Sequence, residues 1–353
     1  MGRLMDIPLR RLRPAPRLVR RIAELDEFKG QWLALRSLAP DRLLGLQRVA
    51  TVESVASSTR IEGVTLTDEE VHALLRRVEV RSFASRDEEE VASCAALMEL
   101  IFESWRDLEL TENHVLQLHR VLLQHCSADE KHRGSYKTVP NSIEAFDAQG
   151  RSLGVLLATT SPFDTPREMA VLMETTRAAL DGDEHHPLVV IATFVVRLLA
   201  IHPFQDGNGR LSRALAVLLL LRAGYDYAPY ASLERVIEHN KDAYYELLRR
   251  AQTTWDDEEP EVAPWVEFFV DCMVEQKNVL MQRLGRERLL APMAALSAAI
   301  LALARERGRV TVRDVVAVEG ANRNTVKLHL RQLVDAGQLI RHGRARGTWY
   351  EPS

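Results

Sequence analysis

One polar stretch separates the two most apolar segments of the chain, and it reads Ile201-His202-Pro203-Phe204-Gln205-Asp206-Gly207-Asn208-Gly209-Arg210-Leu211-Ser212-Arg213. The flanking segments, about Leu188–Ala200 and about Leu211–Ala223, are apolar nearly all round, which predicts two helices at the centre of a domain. Charged side chains between central helices are costly unless they find partners. The stretch therefore predicts a functional loop inside a mainly α-helical domain.

The loop has the composition of an anion site. Gly207 and Gly209 allow a tight turn and a close approach of a ligand to backbone N–H groups. The helix that follows points its N-terminus, with its free N–H groups and its dipole, at the same place. Arg210 and Arg213 are three residues apart, so they share one helix face and can reach one phosphate chain.

Two further side chains of the loop suit reactions of nucleotides. Asp206 offers the hard oxygen ligand that Mg²⁺ prefers when it bridges phosphates. His202 can act as a general base near neutral pH. The residues from His202 to Arg213 resemble the Fic signature HPFx(D/E)GNGRxxR and match it at every fixed position.

The resemblance implies a protein adenylyltransferase with ATP as substrate and Mg²⁺ (or Mn²⁺) as its metal. It implies that His202 takes the proton from a Ser, Thr or Tyr hydroxyl of a target protein or of this chain itself, and that Asp206 holds the metal. The nucleotide-binding residues of the motif would be Phe204, as a core anchor, with Gly207, Asn208, Gly209, Arg210 and Arg213. Because Gly-Asn-Gly-Arg is present rather than a Lys-containing variant, transfer of AMP is expected rather than of phosphate.

A second match lies upstream, in Ser58-Thr59-Arg60-Ile61-Glu62-Gly63. It resembles the Fic inhibitory motif (S/T)xxxE(G/N), with Ser58, Glu62 and Gly63 at the fixed positions. The resemblance implies that Glu62 pairs with Arg213 and repels the triphosphate. The alternative is an ordinary helix end in which Gly63 is the C′ residue.

Two other regions resemble parts of the Fic fold. Tyr244, Tyr245 and Gln252 stand where the family lines its nucleoside pocket with a Tyr pair and a later Asn, so Gln252 departs from the pattern; core packing is the alternative for either tyrosine. Residues 133–163 match the flap that clamps the target by strand addition. Strands are predicted at Ser135–Val139 and Gly154–Leu157 around 147–150, with Lys137, Val139 and Ile143 as candidates for the target surface.

The C-terminal part is basic. Residues 291–353 carry 10 Lys/Arg and 5 Asp/Glu, a net charge of +5, and leave −9 on the rest of the chain. Three helices and two short strands are predicted there, with a turn at Gly320-Ala321, which resembles a winged helix-turn-helix. DNA contacts are expected from Arg323, Lys327, Arg331, Arg344 and Arg346. Protein contact or homodimer formation is the alternative use of such a module.

Composition places the protein in a reducing, aqueous compartment. The 3 cysteines are far apart and show no metal spacing, so neither a disulfide framework nor a zinc site is expected. The N-terminus lacks the apolar run of a signal peptide. Pro187–Ile201 is too short to span a membrane. A cytoplasmic location without membrane contact is expected.

The sequence thus predicts a mainly α fold, a Fic-type helical bundle with a β-hairpin flap plus a C-terminal winged helix. The expected domains are an N-terminal helical region with the inhibitory helix at 1–110, a core at 111–283, a linker at 284–294 and the winged helix at 291–353. Two other functions remain open: a DNA-binding regulator whose core senses nucleotide, and a hydrolase that removes AMP from modified proteins.

Overall fold

A computed structural model describes residues 15–36, 40–76, 83–146, 152–255, 257, 260–335, 337–343 and 348–352. The chain divides into two compact units, Met1–Asn278 and Val279–Ser353. Nearly all of the regular structure is helical, which confirms the predicted fold class. Within the described ranges, no helix is both long and apolar enough to cross a membrane.

The first unit begins with helices that lead to the predicted inhibitory motif. The helices before the flap are α1 (Pro16–Arg36), α2 (Pro40–Ile61), α3 (Asp68–Leu75), α4 (Arg86–Ser104) and α5 (Glu112–Leu122). Helix α3 starts with a capping box, because the Thr67 hydroxyl accepts from the Glu70 N–H and the Glu70 side chain accepts from the Thr67 N–H. Helix α2 ends at Ile61, so Ser58 lies in its last turn and Glu62 follows directly.

The flap is a two-stranded antiparallel hairpin. Its strands are β1 (Ser142–Phe146) and β2 (Ser152–Ala158), and Ser142 pairs with Ala158. The prediction of a strand at Ser135–Val139 was wrong, since that segment is irregular. Its backbone instead bonds to the motif loop, with the Lys137 N–H 2.8 Å from the Pro203 carbonyl oxygen. The predicted turn at 147–150 and the side chain of Ile143 lie outside the described residues.

The two apolar segments form the centre of this unit. Helix α6 (Thr165–Asp181) packs against α7 (Pro187–Ile201), which packs against α8 (Asn208–Arg222). Side chains around the whole circumference of α7 and α8 are buried, as expected for helices that are apolar on every face. Helix α8 begins three residues earlier than predicted, which places the Gly-Asn-Gly-Arg segment in its first turn.

Three further helices follow. They are α9 (Leu233–His239), α10 (Lys241–Thr253) and α11 (Val262–Arg307). Residues 284–294, predicted as a linker, are helical and belong to α11. Leu, Arg, Glu and Ala dominate the segment, and their helix propensity outweighs Gly285 and Pro292. The division between the two units falls at Asn278.

The second unit contains the end of α11, then α12 (Val312–Glu319), α13 (Arg323–Asp335), β3 (Leu339–His342) and β4 (Trp349–Pro352). The two strands pair antiparallel, with Arg341 opposite Tyr350. Gly320 ends α12 with φ 65°, in the left-handed region that glycine adopts without strain. Arg344 and Arg346 lie outside the described residues. The unit has its own apolar core, formed by Ile300, Leu303, Ala304, Val310, Val315, Val326, Leu330, Leu333, Leu339 and Tyr350.

Candidate active site

His202 ends α7 in an unusual backbone conformation. Its φ is 52° and its ψ is 59°, the one left-handed non-glycine residue in the described part of the chain. Its Nδ1 lies 3.3 Å from the Leu199 carbonyl oxygen. Because that carbonyl only accepts, Nδ1 carries the proton and Nε2 keeps a free lone pair. Burial lowers the pKa of His202 to about 4, so the imidazole is neutral at physiological pH, as a base requires.

The side chain of Asn208 closes the loop after His202. Its Oδ1 accepts from the Phe204 N–H at 2.9 Å, and its Nδ2 donates to the Phe204 carbonyl at 2.8 Å. Asn208 therefore fixes the loop with its amide group, while its own backbone belongs to the first turn of α8. Phe204 is fully buried, as expected of a core anchor.

His119 on α5 supports the same loop from beneath. Its ring stacks on Phe204 with centroids 3.8 Å apart and planes at 13°. The Gly134 N–H donates to Nδ1 at 2.9 Å, so Nε2 carries the proton and donates to the Asp206 carbonyl at 3.0 Å. Burial lowers the pKa of His119 to about 4. This neutral imidazole provides hydrogen-bond partners for the Gly134 N–H and for the Asp206 carbonyl, and so joins the segment before the flap to the loop.

The N-terminus of α8 has no side-chain cap, which suits it to bind an anion. Gly207 is the N-cap residue, with φ 82° and without a side chain to cap the first N–H groups. A Cβ on Gly209 would lie only 2.0 Å from Oε1 of Glu62. The carboxylate of Glu62 thus occupies the space directly over the start of α8, where the helix dipole favours a negative charge.

Arg213 holds that carboxylate. Its Nη2 lies 2.8 Å from Glu62 Oε1 and 2.8 Å from the Ser58 carbonyl oxygen, and its Nε donates to the Ser58 hydroxyl at 3.0 Å. The guanidinium is 4% exposed and Glu62 is 32% exposed. Although burial opposes it, the charge of Glu62 keeps the pKa of Arg213 above its ordinary value. Arg213 therefore contacts Glu62, as the predicted pairing requires, and also contacts Ser58 of the same motif.

The end of α2 is itself anchored on two sides. Arg60 pairs with Glu238 on α9 at 2.6 Å and with Asp68 on α3 at 3.0 Å. The hydroxyl of Tyr245 donates to the Ile61 carbonyl at 3.1 Å. Gly63 follows with φ 105°. These contacts fix the direction in which Glu62 leaves the helix.

Asp206 lies at the opposite edge of the site. Its Oδ2 is 3.0 Å from Arg210 Nη2 and 3.2 Å from Arg86 Nη2, and Arg210 also pairs with Glu90 at 2.9 Å. Although burial acts to raise it, Arg210, the Gly207 N–H and Arg86 hold the pKa of Asp206 below its ordinary value. Asp206 is thus ionised and partly exposed.

A single carboxylate beside an anion site fits a metal that is bound mainly through phosphates. Mg²⁺ is commonly held by one or two carboxylates together with the phosphates of its substrate. Among the described residues, no group of three His, Cys, Asp or Glu side chains converges on a possible metal position. Asp206 therefore suits a metal that arrives with a nucleotide better than a resident metal with a protein-only ligand set.

The predicted nucleoside-pocket residues occupy different surroundings. Tyr244 is buried against Trp265, with ring centroids 5.5 Å apart, whereas Tyr245 is 42% exposed. Gln252, 8% exposed, lines a polar cavity of about 350 Å³. Its Nε2 has no hydrogen-bond partner among the described atoms. The cavity is lined by Thr159, Thr160, Ser161, Asp164, Arg167, Glu168, Arg197, Ala200, Gln252 and Trp255.

Lys137, one of the candidates for the target surface, is buried and was misplaced by the sequence analysis. Its Nζ points into the protein and contacts the base of the flap and the end of α7. Val139 is exposed, as that surface requires. His119 and Arg86 are residues near the site that the motifs did not indicate, because their sequence neighbours do not distinguish them from ordinary core or surface positions.

Comparisons with known protein families agree with the geometry. The Fic/DOC family model matches residues 109–220. A model described as a bacterial protein of unknown function, DUF977, matches residues 291–349. Protein adenylyltransferase Fic of Drosophila grimshawi is 28% identical over 258 residues, which cover 72% of this chain and 47% of that protein. The chain thus spans about half the length of the curated relatives it matches.

Solved structures are similar as well. A Fic family protein from Desulfovibrio desulfuricans G20 has a TM-score of 0.63 at 24% identity and covers 97% of this chain and 98% of that chain. A Fic domain containing signaling protein from Bacteroides thetaiotaomicron VPI-5482 has a TM-score of 0.60 at 25% identity, with 74% and 96% covered. The first of these likenesses shows the fold.

Proposed function

This chain carries a Fic/DOC domain, and from that premise we propose that it transfers AMP from ATP to a hydroxyl of a protein and that Glu62 holds it inactive. The observation that supports the proposal best is the carboxylate of Glu62, which lies over the open N-terminus of α8 and on Arg213. A site built for an anion is filled by an anion of the same chain. The relatives named protein adenylyltransferase support the reaction class.

The chemistry assigns one task to each residue. The triphosphate takes the place of the Glu62 carboxylate, with its phosphates over the start of α8 and the γ-phosphate on Arg213. Nε2 of His202 accepts the proton of the target hydroxyl. That oxygen forms a bond to the α-phosphorus as the bond to the β-phosphate oxygen breaks, and pyrophosphate leaves. Positioning and charge neutralisation supply most of the acceleration.

Asp206 would hold Mg²⁺, which supplies positive charge to the phosphates when it is bound. Arg210, already paired with Asp206 and Glu90, would also supply positive charge to the phosphate chain. Gln252 would reach the base from the wall of its cavity, since its Nε2 is a free donor. The target segment would add to the flap hairpin as a further strand, and a segment of this same chain is one candidate target.

The test is incorporation of label from ATP labelled at the α-phosphate into protein. We expect little label on the wild type, strong label on Glu62→Gly, and none on Glu62→Gly combined with His202→Ala. Glu62→Gln is the matched control, since it keeps the shape of the side chain without its charge, and it should fall between the two. ATP labelled at the γ-phosphate should leave no label on protein.

Two other outcomes would support the rival functions. Binding of ATP by Glu62→Gly without any labelled protein, including in a cell lysate, would favour a nucleotide-sensing regulator. Hydrolysis of an adenylylated protein that is lost in Glu62→Gly would favour the AMP-removing enzyme, because there Glu62 would have to position water. Either result would refute AMP transfer as the main activity.

A second function is favoured by the exposed face of α13 in the C-terminal unit. Arg323, Lys327 and Arg331 are exposed at i, i+4 and i+8, while Val326 and Leu330 on the other face are buried. No Asp or Glu occurs between Gly320 and Val334. Like charges four residues apart destabilise a helix by about 0.2–0.5 kcal/mol per pair. The stripe is therefore unfavourable in the free unit and suited to an external anion.

We propose that this stripe binds double-stranded DNA. Its three cations span about 12 Å along the helix axis, and the major groove admits a helix with phosphates on both sides. The alternative occupant is a protein, since Leu328 on the same helix is 48% exposed.

The measurement is fluorescence anisotropy of a labelled 30-bp random-sequence duplex titrated with the full chain carrying His202→Ala. Arg331→Ala should weaken binding and reduce the salt dependence by about one phosphate contact, a change near 0.9 in the slope of log K against log[salt]. Arg305→Ala, an exposed arginine of the same unit, should change neither. No binding at 50 mM salt, or equal effects of both variants, would refute DNA binding by α13.

A further inference from the structure

Lys137 holds the backbone on both sides of His202. Its Nζ donates to the carbonyl of Ile201 at 3.0 Å, and its backbone N–H donates to the carbonyl of Pro203 at 2.8 Å. These are the carbonyls of the residues immediately before and after His202. A residue in the left-handed region persists only when its surroundings over-determine it, and Lys137 supplies two of the bonds that do so.

The remaining bonds of Lys137 join the flap to the same place. Nζ also donates to Asn141 Oδ1 at 2.7 Å and to Thr159 Oγ1 at 2.8 Å. Asn141 in turn donates to the Phe204 carbonyl at 2.9 Å. Both ends of the hairpin are therefore tied through one ammonium group to the loop that carries His202.

The charge of Lys137 is not balanced nearby. Lys137 is 3% exposed, its three acceptors are neutral, and no carboxylate among the described side chains lies within ion-pair distance of Nζ. Burial alone lowers the pKa of Lys137 to about 8. Burying an unpaired cation is costly, and a neutral donor such as Asn or Gln could bond to some of the same acceptors. An ammonium group supplies three donors from one atom, and Nζ of Lys137 uses them on three acceptors at Asn141, Thr159 and Ile201.

We propose that Lys137 is a positioning residue for His202: by bonding to the carbonyls of Ile201 and Pro203, it fixes the left-handed backbone of the base. The inference rests on the proposed AMP transfer, in which His202 must be neutral. It assigns to the base of the flap a part in proton transfer in addition to its part in holding the target.

Three charged groups act on the imidazole from different elements. Lys137 on the flap base disfavours its protonated form, whereas Glu62 at the end of α2 and Asp206 in the loop favour it. Leu199 on α7 accepts from Nδ1 and also favours protonation. Lys137 is thus the one cation among these groups that opposes the two carboxylates, and its removal leaves them unopposed.

The experiment compares Lys137→Met, Lys137→Arg and Lys131→Met, all in the Glu62→Gly background. The ring signals of His202, assigned by their loss in His202→Gln, are titrated by NMR, and the rate of AMP transfer is measured against pH. In Lys137→Met we expect the pKa of His202 to rise by about half a pH unit to one unit. We expect kcat to fall by roughly 10- to 100-fold, as for a misplaced catalytic group, with little change in KM for ATP.

The two control variants separate charge from packing. Lys137→Arg keeps the charge and should restore the pKa of His202 even if its size slows transfer. Lys131→Met removes a lysine from the exposed surface and should change neither measurement. An unchanged pKa of His202 and a transfer rate within two-fold of the parent in Lys137→Met would overturn the inference. If the Glu62→Gly parent transfers no AMP, the proposed function fails, while the titration still decides the electrostatic role of Lys137.

Discussion

Glu62→Gly is expected to destabilise the nucleotide-free protein. Removing one partner of a fully buried ion pair costs about 3–5 kcal/mol. Here Glu62 is 32% exposed, and Arg213 keeps its two bonds to Ser58. Solvent screening and these remaining acceptors reduce the cost, so we expect a loss of about 1–2 kcal/mol.

Thermal unfolding followed by tryptophan fluorescence measures this cost. In a unit of this size 1 kcal/mol corresponds to a shift of about 2–4 °C in Tm, so we expect Glu62→Gly to melt about 2–8 °C below the wild type. Mg²⁺ and ATP at about 100 times Kd should then add about 2.7 kcal/mol to the variant and little to the wild type. His202→Ala is included in both proteins so that ATP is not consumed.

The order of stabilities of the wild type and Glu62→Gly should reverse when nucleotide is added. Glu62→Gln should lose less stability than Glu62→Gly, because its amide oxygen can still accept from Arg213. A Glu62→Gly protein that is as stable as the wild type without nucleotide would refute the view that the pair stabilises the resting state. Equal stabilisation of both proteins by ATP would refute competition between the carboxylate and the triphosphate.

Three further predictions follow from contacts around the site. Gly209→Ala should displace the Glu62 carboxylate, since a Cβ there would lie 2.0 Å from its Oε1; the Tm should fall in the wild-type background but not in Glu62→Gly, and additive losses would contradict this. Burial lowers the pKa of His119 to about 4 from 6.5. Between these pH values the unfolded chain binds more protons than the folded chain, so the free energy of unfolding falls as pH drops through that window. In His119→Gln, the free energies of unfolding in urea at pH 7 and pH 5 should differ less than in the wild type, and an unchanged difference would contradict this role of His119. Arg86→Gln removes a cation 3.2 Å from Asp206. Binding of a fluorescent ATP analogue is titrated with Mg²⁺, and the Mg²⁺ concentration at half-maximal binding should fall by about 3- to 10-fold in this variant. A higher Mg²⁺ concentration at half-maximal binding would show that Arg86 supports the metal instead.

The candidate site could be predicted from sequence where its parts are local. His202, Asp206 and Arg213 fall within twelve residues on two helices and one loop, so their spacing fixes their proximity. The contact between Glu62 and Arg213 joins residues 151 positions apart, and it was predictable only because a second motif marked Glu62. Without a motif, Arg86 gave no signal, although it lies 3.2 Å from Asp206 across 120 positions.

The features that the sequence did not predict correctly also have physical explanations. Lys137 was expected on the target surface because of its place in the segment that matches the flap. The local sequence could not show that its side chain bonds to Thr159 and to Ile201. The strand predicted at Ser135–Val139 failed because the local pattern cannot show that these backbone groups bond to the loop at Pro203. Residues 284–294, predicted as a linker, are helical because most of them are strong helix formers.

The anchoring of Arg60 has a consequence for how the protein would respond to its surroundings. Glu62 is tethered in the same chain, so its local concentration at Arg213 is set by geometry and does not change when the protein is diluted. If Glu62 inhibits as proposed, the ATP concentration at which activity begins would be a threshold set within the molecule, and the stiffness of the helix end that carries Glu62 would determine its value. Because Arg60 meets Glu238 and Asp68 outside both motifs, a change on α9 or α3 can raise or lower that threshold while every signature residue stays the same.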